Sequence, residues 1–420
     1  MSRNNRQMIG LGVVAGVALG AAYAANRQRK YSVGGVPPML NWNRVRTLAQ
    51  AMNPEPALQS GWHEQWGAYY TALVRRCEPL IAAEMGRELP QPVQNIAAFT
   101  RAEWIDANIA NFEQLFAPLE RLHQLTSSKD DIGTLLMTDV NRAVLSGELG
   151  VLLGYLARRV LGQYDLSLLG REPLTVGRLY MVEPNIAAVQ QERGLDADDF
   201  RLWIALHETT HAFQFEAYPW VREYFNTILE TYFNTIINDL TALRTGGGLG
   251  SIVGRARANF AAGESWIELV MTPEQRLLFG KLQALMSVIE GYSNYIMNAV
   301  GVRLMPSFAM IKQRIEERAG QRSPIEKLFI RLTGLALKME QYRAGEAFIN
   351  AVVAARGVQV ANLVWAGPKY LPTMEELRDA PAWIARVDGL GPARDSDQPT
   401  RPLDMALLHD GARAAPGPEV

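Results

Sequence analysis

The chain has 420 residues, 48% of them hydrophobic and 20% charged, with 42 Lys and Arg against 43 Asp and Glu. That balance supplies no basic excess to neutralise a run of phosphates, which argues against a nucleic-acid partner, and the apolar fraction argues against an acidic disordered chain. Cys77 is the single cysteine, so no internal disulfide framework or cysteine zinc cluster can form, and a metal site must draw on carboxylates and on His63, His123, His207, His211 and His409.

The first thirty residues stand apart. Arg3 and Arg6 precede an uncharged run of 18 residues, Met8 to Ala25, followed by Arg27, Arg29 and Lys30. Such a run is long enough to cross a bilayer. Gly12, Gly16 and Gly20 recur every four residues, a spacing that lets membrane helices approach closely. The leading expectation is an uncleaved N-terminal anchor over residues 1–30 with the domain on the cytoplasmic side. The alternatives are a cleaved signal peptide, for which Ala22-Tyr23-Ala24 fits the cleavage pattern, and a segment that is neither.

Residues 36–388 read as one mainly α-helical domain. Amphipathic periodicity predicts helices at Trp62–Met85, Asp139–Leu161, Asp198–Tyr218, Pro273–Val300 and Ser323–Ala355. Arg178–Val182, bounded by Gly177 and Pro184, is the best strand candidate. Gly246–Gly250 reads as a loop. It lacks the Lys-Ser/Thr of a phosphate-binding loop, and no G-x-G-x-x-G fingerprint follows the strand. Residues 391–420 carry Pro, Gly, Asp and Ala without periodicity and read as a disordered tail.

One segment carries chemistry. His207-Glu208-Thr209-Thr210-His211 is an H-E-x-x-H motif on a predicted helix. At 3.6 residues per turn both imidazoles leave one face a turn apart, close enough to share one ion. Glu208 lies about 100° round the same helix, placed to act as general base on a water that zinc makes acidic. Phe200, Trp203, Ile204, Leu206, Phe213 and Phe215 make the helix apolar on most sides, where unpartnered histidines and a carboxylate would be costly.

A third protein ligand is required if one position is to stay open. The extended H-E-x-x-H-x-x-G-x-x-H pattern is excluded, because positions 214 and 217 are Gln and Ala. His63, His123 and His409 fall in polar or tail settings. Glu290, a lone carboxylate in an apolar run, is the best candidate, ahead of Glu216, Glu223, Glu230, Glu264 and Glu268. Asn294, one turn beyond it, is placed to hold a histidine's second nitrogen. Tyr292, Tyr295 and Arg343 are candidates to stabilise an oxyanion. Arg159 and Asp165 in Arg159-Val160-Leu161-Gly162-Gln163-Tyr164-Asp165-Leu166 are expected to form a structural ion pair, and the segment to serve packing. The tryptophans at 62, 66, 203, 220, 266, 365 and 383 are expected in the core.

Phe200 to His211, preceded by Val182-Glu183-Pro184-Asn185-Ile186, resembles bacterial zincin-like proteins described as zinc-dependent metalloproteases or as hydrolases associated with coenzyme F420 biosynthesis. Ile289-Glu290-Gly291-Tyr292, Met339-Glu340-Gln341-Tyr342-Arg343, Leu371-Pro372-Thr373 and the Arg159–Leu166 segment extend the resemblance over about residues 40–387. It implies Glu290 as third ligand beside His207 and His211, zinc as the metal, Glu208 as general base and a peptide or amide as substrate. Tyr292 and Asn294 depart from the His and acidic residue that the family often carries there. The rival expectation is therefore a metal-binding scaffold, weakly active or inactive, acting as a membrane-associated interaction protein.

Overall fold

The protein is represented by a computed structural model that describes residues 38–126, 132–165, 178–244, 271–320 and 335–390. The expected anchor, the 246–250 loop, Glu264, Glu268, Trp266, His409 and the 391–420 tail lie outside them, as do the side chains of His123 and Arg343. No helix among the described residues is long and apolar enough to cross a membrane.

In chain order the elements are α1 (Trp42–Ala51), α2 (Trp62–Met85), β1 (Ile96–Phe99), α3 (Arg101–Thr126), α4 (Ile132–Ala157), β2 (Gly162–Asp165), β3 (Arg178–Val182), α5 (Glu183–Arg193), α6 (Ala197–Glu216) and α7 (Trp220–Arg244). Then come α8 (Pro273–Leu304), α9 (Phe308–Gly320), α10 (Leu335–Arg356), the short α11 (Val358–Ala361), three single 3-10 turns and α12 (Ala380–Leu390). Among the described residues the fold is mainly α-helical with one small sheet of three strands, in the order β1-β3-β2.

Two compact units divide the chain, residues 1–58 with 99–160 and residues 59–98 with 161–420. In the first, α4 lies close against α1. A side chain at Gly150 or Gly154 would come 3.1–3.2 Å from backbone atoms of Val45 or Ala49, so the missing Cβ atoms set the separation of the two helices. Asn53 Nδ2 donates to Ala49 O and Gly154 O and ties the ends together.

The second unit is built around α6. Asp196 caps it by accepting from the Asp198 and Asp199 amides, and those two acids complement the helix dipole. Most of α6 is buried, with Thr209 and Thr210 returning their hydroxyls to carbonyls one turn back. Trp203, His207 and His211, spaced by four, form its half-open stripe. A capping box between Thr272 and Gln275, with Pro273 in the first turn, starts α8. Where α8 crosses α10, a Cβ on Gly291 would stand 2.2 Å from the Gly345 carbonyl carbon and one on Gly345 1.9 Å from Ser287 O. The backbones therefore touch there, one residue from Glu290.

A buried ion pair fixes the sheet to α6. Glu183, the first residue after β3, takes hydrogen bonds from Arg201 of α6 and from Tyr70 of α2, and Arg201 also lies over the Trp66 ring. Trp220, Trp365 and Trp383 are fully buried in this unit as expected.

The helix expected at 139–161 is displaced. It runs from Ile132 to Ala157, and the chain then turns into β2, which pairs antiparallel with β3 from Gly162↔Met181 to Asp165↔Arg178. Gly162 and the polar Gln163 and Asp165 leave too little apolar periodicity to mark four residues as a strand. The packing role expected of this segment is therefore incomplete, because β2 lies beside the H-E-x-x-H helix. Arg159 stacks on Tyr155, 4.0 Å from its ring centre, and the Asp165 side chain lies outside the described set.

Candidate metal centre

His207 and His211 stand on α6 with their Nε2 atoms 3.2 Å apart. Glu290, on α8, places Oε2 3.9 Å from His207 Nε2 and 4.0 Å from His211 Nε2. The side chains keep 22%, 12% and 24% of their exposure, so the group sits at the half-open stripe of α6 with access from outside. These three residues form a group that can hold a metal ion.

The hydrogen bonds behind the imidazoles test that fit. Gln214 Nε2 donates to Ile289 O at 2.8 Å, which leaves its Oε1 as acceptor for His211 Nδ1–H, also at 2.8 Å. His211 therefore turns a bare Nε2 lone pair toward His207 and Glu290. His207 Nδ1 lies 3.1 Å from Ser293 Oγ, and burial together with the neighbouring His211 lowers its pKa to about 3. An imidazole lone pair that faces a second ring nitrogen and a carboxylate oxygen is repelled unless a proton or a metal cation sits between them. A point about 2.2 Å from all three atoms lies at the centre of their triangle, against the roughly 2.0–2.2 Å of zinc bonds to His and carboxylate. The donor set fits zinc.

Glu208, about 100° round the helix from His207, meets β2. Its Oε2 accepts the Tyr164 backbone N–H at 3.1 Å, and Gly162 lies directly over the carboxyl, where a Cβ would come 2.6 Å from Glu208 Cγ. Burial raises the Glu208 pKa to about 7, with Glu290 adding to the rise and with His211 and the Tyr164 amide opposing it. A carboxyl poised near neutrality suits a group that must both take and return a proton.

The structure thus brings His207, His211 and Glu290 together, with Glu208 on the same helix. The expected histidine partner is replaced: Ser293, about 100° away on α8, fills the role assigned to Asn294. Tyr292 is wholly buried, its hydroxyl given to Asn362 Oδ1 at 2.5 Å and its ring edge-on to Trp365, so it belongs to the core rather than to an oxyanion pocket. Tyr295 gives its hydroxyl to Glu84 Oε1 at 2.6 Å. Among the rivals for third ligand, Glu216 accepts the Tyr164 hydroxyl, and Glu223 and Glu230 stand exposed on α7. Trp203, expected simply in the core, stacks parallel to the His207 ring at 6.2 Å and forms a wall of the site.

Four contributors went unread: Gln214, Ser293, Gly162 and Tyr164. Gln214 alone carried a signal, as a polar residue between Phe213 and Phe215 on a buried helix.

Fold and site together define a mainly helical protein in which two histidines of one helix and a glutamate of a second could hold a metal ion. The family described as zincin-like metallopeptidase matches residues 40–384, and the chain belongs to that family. It is similar to a crystal structure from Chloroflexus aurantiacus, described provisionally as a hydrolase with a novel fold. The two share 45% identity with a TM-score of 0.59, over 83% of this chain and 99% of that one. No curated protein matches the chain.

Proposed function

We propose that the chain is a zinc-dependent peptidase or amide hydrolase in which His207, His211 and Glu290 hold the metal and Glu208 is the general base. The supporting observation is the convergence of three ligand atoms within 4.0 Å beside a buried carboxyl of raised pKa. Bound there, zinc supplies positive charge that polarises a carbonyl and brings the pKa of a water close to neutral. Glu208 takes the proton from the water that attacks the carbonyl carbon and returns it to the leaving nitrogen. Gln214 keeps His211 in the tautomer that offers Nε2, and Ser293 holds the His207 ring at its Nδ1. Trp203, stacked on His207, offers an apolar wall to a substrate side chain.

The test is digestion of a peptide mixture by the purified zinc-loaded chain. New peptide termini that vanish both on metal removal and in Glu208→Gln support the hydrolase. Zinc binding with no cleavage under any condition supports the scaffold reading.

The same reading tethers the domain to a membrane through residues 8–25, supported by the length of the uncharged run and its flanking cations. Retention of the full chain in the membrane fraction after alkaline washing, and its release on deleting residues 1–30, is the expected result.

A further inference from the structure

The second oxygen of Glu208 leads away from the metal centre along a chain of contacts that the reaction as described does not use. β2 is an edge strand. Leu161 O accepts Val182 N–H, so by the alternation of an antiparallel ladder Gln163 faces β3 while the N–H of Tyr164 points outward, toward α6. That N–H is spent on Glu208 Oε2. The Tyr164 side chain then runs along α6, its ring stacked on Phe215 at 6.0 Å, and its hydroxyl donates to Glu216 Oε1 at 2.7 Å. Arg222 Nη2, from the first turn of α7, lies 3.5 Å from the same hydroxyl oxygen. One residue thus grips α6 at two points eight residues apart, about 12 Å along the axis.

Two features make this more than packing. Glu208 is only 7% exposed, and a buried carboxyl is held by whatever donors reach it. Its two oxygens also have different neighbours: Oε2 is bound to the Tyr164 amide, and Oε1 lies under Gly162, where no side chain intrudes.

We propose that Tyr164 is a positioning residue for the general base: its amide fixes Oε2 of Glu208, and its hydroxyl anchors the strand through Glu216 and Arg222. This rests on Glu208 acting as the base, but the geometry can be tested apart from catalysis. Glu216, about two turns along α6 from Glu208, then controls the base through Tyr164 without touching substrate.

The experiment has two arms on the full-length, zinc-loaded chain. In the first, the protein carries 15N-tyrosine, and the Tyr164 amide signal is identified by its disappearance in Tyr164→Phe. Glu208→Gln shifts that signal, Glu216→Ala shifts it too, and Glu216→Gln, which keeps an acceptor, restores it toward the wild-type position. A Tyr164 signal unmoved by Glu216→Ala overturns the proposal whether or not any substrate is known. In the second arm, a quenched fluorescent peptide selected from a library is followed kinetically. Tyr164→Phe and Glu216→Ala lower kcat about tenfold with KM and zinc content unchanged, and Glu216→Gln recovers most of the rate. An unchanged kcat in both variants overturns the proposal. If the wild-type chain cleaves no peptide, the hydrolase reading fails, and the first arm alone judges the strand's grip on Glu208.

Discussion

Gly162→Ala separates the geometry of the base from the stability of the fold. The new Cβ would stand 2.6 Å from Glu208 Cγ and 2.9 Å from both Cδ and Oε1. Ordinary carbon contacts begin near 3.5 Å, so the carboxyl must retreat by about 0.9 Å. The atoms struck belong to a side chain, while β2 is held by its ladder to β3, so the carboxyl moves rather than the backbone. A displacement of about 1 Å at a reacting group costs on the order of 100-fold in rate, or about 2.7 kcal/mol of transition-state stabilisation. The thermal midpoint should hardly move, since replacing a strand glycine with alanine by itself favours folding by about 0.5–1 kcal/mol. The assay combines peptide cleavage, zinc content and calorimetry on the same preparation. Expected is a loss of kcat near 100-fold with one zinc retained per chain and a midpoint within a few degrees of wild type. Adding Gly162→Ala to Glu208→Gln should cost nothing further, because the residue being displaced is already disabled. Activity within threefold of wild type would refute the contact between Gly162 and Glu208 as the constraint on the base.

Other outcomes follow from the same geometry. Gly345→Ala forces a methyl to within 1.9 Å of the Ser287 carbonyl oxygen and should separate α8 from α10, so zinc is lost together with the cooperative melting transition. Gln214→Ala removes the acceptor for His211 Nδ1–H and the link to Ile289 O, and should weaken zinc affinity by roughly 10- to 100-fold in a chelator competition. In metal-free protein the raised Glu208 pKa means that the folded state holds a proton which the unfolded state has released. Stability contributed by that proton is present below about 4.5 and is lost as pH rises toward about 7. Glu208→Gln should therefore gain on wild type across that window, by about 3 kcal/mol at the upper end, as read from urea melts of both metal-free proteins.

What the sequence made legible was chemistry that resides in single residues at helical spacing. His207, Glu208 and His211 needed only the 3.6-residue period to be placed, and Glu290 stood out as a carboxylate among Leu282, Leu285, Val288 and Ile289. The supporting contacts depend on how α8 is rotated about its axis, a quantity set by the meeting of Gly291 and Gly345 across two helices far apart in sequence. One position of rotation exchanges Asn294 for Ser293. β2 was hidden for a different reason. Its function lies in a missing side chain at Gly162 and a backbone N–H at Tyr164, and neither leaves a trace in hydrophobic periodicity. Gln214 was read as an argument against the extended metal-binding motif, while in the folded chain it ties one ligand helix to the other.

In the proposed function His207, His211 and Glu290 bind one zinc, and Glu208 uses it to hydrolyse an amide bond. The most direct measurement pairs zinc X-ray absorption with peptide digestion, on wild type and on Glu208→Gln. Expected is one zinc per chain in both proteins, with two imidazole nitrogens and a carboxylate oxygen at about 2.0–2.2 Å, and amide cleavage in wild type alone. Cleavage that persists undiminished in Glu208→Gln, or a zinc lacking the two imidazoles, would contradict it.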